Sequence, residues 1–271
     1  MDNITNTIYK SNKISFEVRN DSTKINGVIH NMEDYRYVKA IKPIKEGDIL
    51  LIEHCCVTKE LCDLVSVVKC CPELFNNLYP RTRLWTESVL TELSDDLIDL
   101  LREKVQKNCF GGYNTLNEYG YTIGNDISRF NHSINFNAVY RYVDVTLKLP
   151  INIQIFYVVA SKDVVINEEI TIFYGNKYFG DKLPNDIQFN ISKKYGNYIE
   201  TIIDQYIDKP IFETVILNHM CIYYGLLFND EMLCPCERFM EYYTKEFPNM
   251  QNIEDWISSK RELIHKTIVE F

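Results

Sequence analysis

The chain has 271 residues, 46% hydrophobic and 25% charged, with a net charge of −9 at neutral pH. That length buries a full core in one or two domains. The acidic balance excludes a nucleic-acid binder, which needs a basic face to neutralise phosphates, and suits a surface that attracts a basic partner. No apolar run approaches the ~20 residues that span a membrane. Met1-Asp2-Asn3-Ile4 shows neither the basic region nor the apolar stretch of a secretion signal. An intracellular protein is expected, with its nine cysteines reduced. The abundance of Asn, Ile, Lys and Tyr reflects an AT-rich coding genome.

In chain order, residues 14 to 52 read as short strands. Ile14-Ser15-Phe16-Glu17-Val18 alternates with period two. Tyr37-Val38-Lys39-Ala40 leads into the turn-rich Lys42-Pro43-Ile44-Lys45-Glu46-Gly47-Asp48, and Ile49-Leu50-Leu51-Ile52 follows as an apolar strand. From 58 to 104 a helical insert is predicted. Leu61, Leu64, Val65 and Val68 recur at helical spacing, as do Leu97, Ile98, Leu100, Leu101 and Val105, and Ser94-Asp95-Asp96 supplies a helix start. Strand texture returns from 119 to 174, with Asn137-Ala138-Val139-Tyr140 and Ile153 to Ala160. From 183 to 271 the pattern is helical, through Tyr198-Ile199, Phe212 to Leu227, Phe239 to Phe247 and Ile253 to Ile268. The prediction is an α+β protein whose β-rich core, 14–57 and 105–182, is interrupted by the insert and closed by the helical tail.

Two segments carry the chemistry. The first is Ser128-Arg129-Phe130-Asn131-His132-Ser133-Ile134-Asn135-Phe136-Asn137. The second is Glu168-Glu169-Ile170-Thr171-Ile172-Phe173-Tyr174-Gly175. In this order and at this distance they resemble the signatures of SET-domain lysine methyltransferases, R-F-x-N-H-S-C-x-P-N and G-E-E-L-T-x-x-Y-G. Ile44-Lys45-Glu46-Gly47-Asp48-Ile49 matches the family's I-x-x-G-[ED]-x-[IL], and Asn108-Cys109-Phe110 resembles its N-[SAC]-F stretch. Tyr35-Arg36-Tyr37-Val38-Lys39-Ala40 stands where the family has G-x-G-[VL]-x-A, so both glycines are tyrosines. A position needing positive φ there would be strained.

The resemblance covers roughly residues 30 to 180 and implies a SET fold with a knot-like crossing near Tyr174. It implies methyl transfer from S-adenosylmethionine to a protein lysine. A histone tail is the favoured substrate, given the acidic chain, and the implied location is the nucleus or cytoplasm. A large DNA virus or a unicellular eukaryote fits the composition as source. Arg36, Tyr37, Asn108, Asn131, His132 and Tyr174 are the implied cofactor-binding residues, with Tyr174 also catalytic. Phe110, Ile172, Phe173 and Tyr178 are the implied substrate channel. Ile134 stands where zinc-tailed family members carry a ligand Cys, so no metal is expected. Ile172 occupies a position that influences the degree of methylation elsewhere in the family. A phenol suits the reaction. A lysine ammonium with pKa ~10.4 must lose its proton before attack, burial beside a cation favours that loss, and a hydroxyl then orients the amine. The alternative is a catalytically silent SET module that binds a protein partner.

Other features carry less. Glu168 and Glu169 read as a solvated strand start. The cysteine group at 55, 56, 62, 70 and 71 lacks C-x2-C pairs, so buried thiols are expected instead of zinc.

Overall fold

The structure is a computed structural model. It describes residues 7–19, 22–25, 28–31, 35–58, 78, 95–113, 119–145, 151–175, 183–184, 187, 190, 193–195, 198–208, 210–211 and 215. Tyr178, most of the predicted insert and most of the predicted tail lie outside them.

Twelve strands are described: β1 Thr7–Lys10, β2 Ile14–Arg19, β3 Ser22–Ile25, β4 Val28–Asn31, β5 Tyr35–Ala40, β6 Ile49–Thr58, β7 Phe110–Tyr113, β8 Tyr119–Ile123, β9 Asn131–His132, β10 Ala138–Val145, β11 Ile151–Ala160 and β12 Glu169–Ile172. Two α-helices have bounds among the described residues, α1 Asp95–Asn108 and α2 Tyr198–Tyr206. α1 begins beside the predicted start at 94–96. The strands form three sheets. The largest runs β10-β11-β6-β8-β7, with β1 beside β8 on the same edge of β6. The second runs β2-β5-β12-β9, and β3-β4 stands alone as a hairpin.

β6 is longer than the predicted Ile49–Ile52, and the reason is physical. Glu53 and His54 interrupt the apolar run, yet both are buried, at 0% and 2% exposure. The strand continues as Cys55-Cys56-Val57 because both of its faces are covered.

The large sheet separates two cores, and β11 shows how. Its residues point alternately to opposite faces. Ile153, Ile155, Tyr157 and Val159 join one cluster with Ile202 and Ile203 of α2. Phe156, Val158 and Ala160 join the other with Val38, Phe130, Ile170 and Ile172. Helix α2 therefore covers one face and the β2-β5-β12-β9 sheet the other. Each fully buried Ile or Val contributes about 1.5–3 kcal/mol relative to exposure. The Tyr157 hydroxyl donates to the Tyr195 carbonyl at 3.0 Å, pinning the segment before α2 to the sheet. The turn after β5 receives the same segment: Glu46 accepts from Lys194 and from the Tyr195 hydroxyl. Gly47 has φ +91°, and a Cβ there would lie 2.7 Å from the Tyr198 hydroxyl. The glycine is needed for both the turn and the docking.

Gly124 precedes the segment that carries the first signature. A Cβ on it would lie 2.5 Å from Cys55 Sγ, 2.6 Å from Ile127 Cγ2 and 3.0 Å from Glu53 Oε2. Gly124→Ala is expected to destabilise the protein by about 1–3 kcal/mol, the usual cost of overpacking. Denaturant unfolding checks this, and an unchanged midpoint would contradict it.

Candidate active site

The two signature segments meet as neighbouring strands. β9 pairs in parallel with β12, Thr171 opposite Asn131 and Ile172 opposite His132. β12 in turn pairs antiparallel with β5, Glu169 opposite Lys39 and Ile170 opposite Val38. The Ser133 N–H donates to the Ile172 carbonyl at 3.0 Å, and the Asn137 N–H to the Thr171 carbonyl at 3.2 Å. Asn137 then works as a staple. Its Oδ1 accepts the Thr171 N–H at 2.9 Å, while its Nδ2 donates to the Glu169 carbonyl and to Glu168 Oε1, each at 3.0 Å. Asn137 is only 6% exposed, so these bonds satisfy groups that would otherwise be buried without partners.

Tyr174 follows β12 and is fixed at both ends. Its backbone N–H donates to His132 Nδ1 at 3.1 Å, and its hydroxyl donates to the Phe130 carbonyl at 2.8 Å. An Nδ1 that accepts leaves the proton of a neutral imidazole on Nε2. The ring of Tyr174 lies 5.4 Å from that of His132 and 6.1 Å, edge-on, from that of Phe110. Phe110 continues into an aromatic wall, 5.4 Å from Tyr140 and 5.7 Å from Phe156. Burial pushes the Tyr140 phenol above its ordinary pKa, so it stays neutral.

The predicted channel divides. Ile172 has no exposed surface and belongs to the same core cluster as Phe130 and Val38. Phe173 points the other way, packed against the α2-side cluster, with ring contacts to His132 at 5.3 Å and Phe136 at 6.1 Å. Adjacent residues at a strand end face opposite sides, so Phe173 is not on the Phe110–Tyr174 wall. Phe156, another aromatic near the site, is core, at 1% exposure. Tyr178 lies outside the described residues.

The glycine-replacing tyrosines sit in regular strand. Tyr35 to Ala40 pairs residue by residue with β2, and among the described residues Asn167 is the sole non-glycine with positive φ. The expected strain at Tyr35 and Tyr37 is absent. Tyr35, Tyr37 and Lys39 line the half-exposed face of β5, while Arg36, Val38 and Ala40 turn inward. The Tyr35 and Tyr37 rings stack at 5.8 Å, with the Arg19 guanidinium 4.9 Å from the Tyr37 ring. The Arg36 carbonyl accepts from Asn131 Nδ2 at 2.7 Å, and a carbonyl keeps a second lone pair for another donor. Asn108 ends α1. Its Nδ2 donates to the Lys104 carbonyl at 2.7 Å, and Phe110 of the aromatic wall follows two residues on.

Two acidic residues matter more than their sequence context suggests. Glu169, read as solvated, accepts from both the Tyr35 hydroxyl at 2.9 Å and Asn131 Nδ2 at 2.8 Å. Glu53, inside an apolar strand, accepts the backbone N–H groups of Asn125, Asp126 and Ile127 at 2.6, 3.1 and 2.7 Å. It thereby holds the turn Ile127–Arg129 that leads into Phe130 and Asn131. A lone acid within a hydrophobic run was its one signal in the sequence.

Among the described residues no three His, Cys, Asp or Glu side chains gather into a metal-binding group. Cys55 and Cys56 are buried, and neither forms a disulfide.

Among solved structures, a crystal structure described as a candidate histone methyltransferase of Plasmodium falciparum is similar at 18% identity. It covers 53% of this chain and 87% of that one, with a TM-score of 0.26. No curated protein sequence matches the chain. The family model of the SET domain matches residues 35–175, just over half of the chain. That span starts at Tyr35 and ends at Gly175, enclosing β5, both signature segments and Tyr174, and by it the chain belongs to the SET-domain family.

Proposed function

We propose that the protein is an S-adenosylmethionine-dependent protein-lysine N-methyltransferase. The observation that carries this reading is the double anchoring of Tyr174, by His132 Nδ1 and the Phe130 carbonyl, beside the aromatic wall of Phe110 and Tyr140. A phenol so held is a preorganised group for orienting an amine, which needs no large movement to act. The residues also fit the cofactor. Asn131 spends its amide nitrogen on Arg36 and Glu169, which leaves Oδ1 to accept from a ligand. The extended backbone at Tyr35 and Tyr37 removes the objection that a positive φ there would strain a tyrosine.

When bound, S-adenosylmethionine supplies an electrophilic methyl group on a sulfonium centre. The chain's own residues do the rest. The wall of Phe110, Tyr140 and Tyr174 offers aromatic faces and a hydroxyl to a cation, surroundings that it tolerates better than alkyl walls. The same desolvation lowers a lysine's pKa toward the neutral, nucleophilic amine. The Tyr174 hydroxyl directs that amine.

A basic protein segment is the substrate class, with a histone tail favoured, because the chain carries −9 net charge. The same charge argues against direct nucleic-acid binding, and no described helix is long and apolar enough to cross a membrane. Action in the nucleus or cytoplasm follows from a histone substrate. The second reading, a silent SET module, is favoured by the two tyrosines that replace glycine.

Incubation with labelled S-adenosylmethionine and core histones, followed by mass spectrometry, tests the activity; labelled lysine is the expected result. A thermal-shift measurement separates the two readings. The native protein is expected to gain about 2.7 kcal/mol at a cofactor concentration 100 times Kd, and Asn131→Ala is expected to lose most of that gain. No shift in the native protein would favour the silent module, and an unchanged shift in Asn131→Ala would remove Asn131 from the cofactor site.

A further inference from the structure

We infer that Tyr35 and Glu169 are positioning residues that lock the Asn131 amide so that its Oδ1 is presented to the ammonium group of the cofactor. The inference rests on the methyltransferase reading above and adds to it two residues, one of them at a position where the family's pattern has glycine.

An asparagine amide can sit in either of two flipped orientations, which exchange donor for acceptor. Here both N–H groups of Asn131 are engaged, one by the Arg36 carbonyl at 2.7 Å and one by Glu169 Oε1 at 2.8 Å. Flipping would set Oδ1 against a carbonyl oxygen and a carboxylate, two acceptors, so the observed orientation is the favoured one. Glu169 does this only while its side chain stays in place. Tyr35 holds it there through the 2.9 Å bond from its hydroxyl to the same Oε1. The Tyr35 ring is itself held by stacking on Tyr37, over which the Arg19 guanidinium lies. Asn131, Glu169, Tyr35 and Tyr37 are all half-exposed, and Asn131 and Glu169 belong to the two strands of the parallel seam, β9 and β12. Burial and the neighbouring carboxylate raise the Tyr35 pKa well above the ordinary phenol value, so Tyr35 remains a donor across the working pH range.

An acceptor oxygen with a carboxylate behind its amide suits a cationic N–H donor. S-adenosylmethionine carries one such group, its α-ammonium. Tyr35 thus replaces the flexibility of a glycine with a fixed donor, and the backbone carbonyls of β5 stay in a regular strand.

The test is calorimetric titration of wild type, Tyr35→Phe, Glu169→Ala and Glu169→Gln. The ligands are S-adenosylhomocysteine and its deaminated analogue, which keeps carboxylate, thioether and nucleoside. Tyr35→Phe is expected to bind S-adenosylhomocysteine about 5-fold more weakly and Glu169→Ala about tenfold more weakly, the range of one or two lost hydrogen bonds. Glu169→Gln keeps an acceptor oxygen and should recover most of the loss. For the deaminated analogue all four proteins should bind alike, because the contact being positioned is missing. Equal losses for both ligands would mean general damage to the site and overturn the inference, as would undiminished affinity in both Tyr35→Phe and Glu169→Ala. Wild type that binds neither ligand would instead sink the methyltransferase reading. The lock is then judged by hydrogen exchange of the Asn131 side-chain amide: severalfold faster exchange in Tyr35→Phe supports it, and an unchanged rate overturns it.

Discussion

A Tyr174→Phe variant is expected to fold, to bind S-adenosylmethionine with nearly native affinity, and to lose methyl transfer by roughly 10²-fold or more. The packing argument comes first. The ring makes edge-on contact with Phe110 and tilted contact with His132, and phenylalanine keeps both. The backbone bond from residue 174 to His132 Nδ1 involves no side-chain atom of Tyr174 and survives. What disappears is the hydroxyl and its 2.8 Å bond to the Phe130 carbonyl, with a stability loss of about 0.5–1.5 kcal/mol. That carbonyl belongs to the residue immediately before Asn131, so the hydroxyl sits where the two signature segments converge. Removing it takes away the hydroxyl that is held at the convergence of the two signature segments, beside the rings of Phe110 and Tyr140, and with it the means of aligning an amine. Single-turnover transfer of labelled methyl, read beside calorimetric cofactor titration, separates the two quantities. Full activity in the variant would take Tyr174 out of the mechanism, and a parallel collapse of affinity would make it a binding residue instead.

Much of this site was legible in the sequence because it is built from contiguous segments. Asn131, His132 and Tyr174 announce themselves by pattern, and the strand pairing between 131–132 and 171–172 is what gives that pattern a spatial meaning. The helix start at 94–96 was legible because Ser-Asp-Asp precedes a run at helical spacing, and α1 begins at Asp95. The strand lengths were less so. β6 continues to Thr58 because the large sheet is covered on one face by α2 and on the other by the second sheet, a tertiary circumstance that a polar Glu-His pair masks locally. The β3–β4 hairpin had a signal that went unread: Asn26-Gly27 lies between the paired Ile25 and Val28. The division of the channel could not be read at all. Ile172, Phe173 and Tyr174 are adjacent in sequence, and which of them faces the aromatic wall depends on the register of β12 against β5 and β9. Glu169 escaped for a similar reason. A carboxylate at a strand start looks solvated until Tyr35, 134 residues away, is seen to donate to it.

Glu53 yields the other large effect, in stability as a function of pH. Its side chain is fully buried in β6, and its two oxygens receive backbone N–H groups from three successive residues, Asn125 to Ile127. Two influences oppose each other. The three donors favour the carboxylate, whereas burial and then the charge of Asp126 disfavour it; burial prevails and pushes the pKa up to about 8 from an ordinary 4.5. Between those two pH values the unfolded chain has released this proton and the folded chain retains it. The unfolded state then binds fewer protons, so stability falls as pH rises, by up to about 1.4 kcal/mol per unit from this group. The contribution is complete below pH 4.5 and lost as pH passes through 8. Glu53→Gln, neutral at every pH, is expected to flatten that slope: less stable than or equal to the parent at pH 5.5, and the more stable protein at pH 8.5. Glu53→Ala removes the acceptor altogether and leaves buried N–H groups without partners, at about 1–3 kcal/mol each. That variant is expected to unfold earlier at every pH and to bind cofactor more weakly, because the turn it frees leads directly to Phe130 and Asn131. Thermal unfolding of the three proteins across this range checks the argument. Parallel curves for parent and Glu53→Gln would show that the glutamate is ionised in the folded state, and that the three backbone donors outweigh its burial.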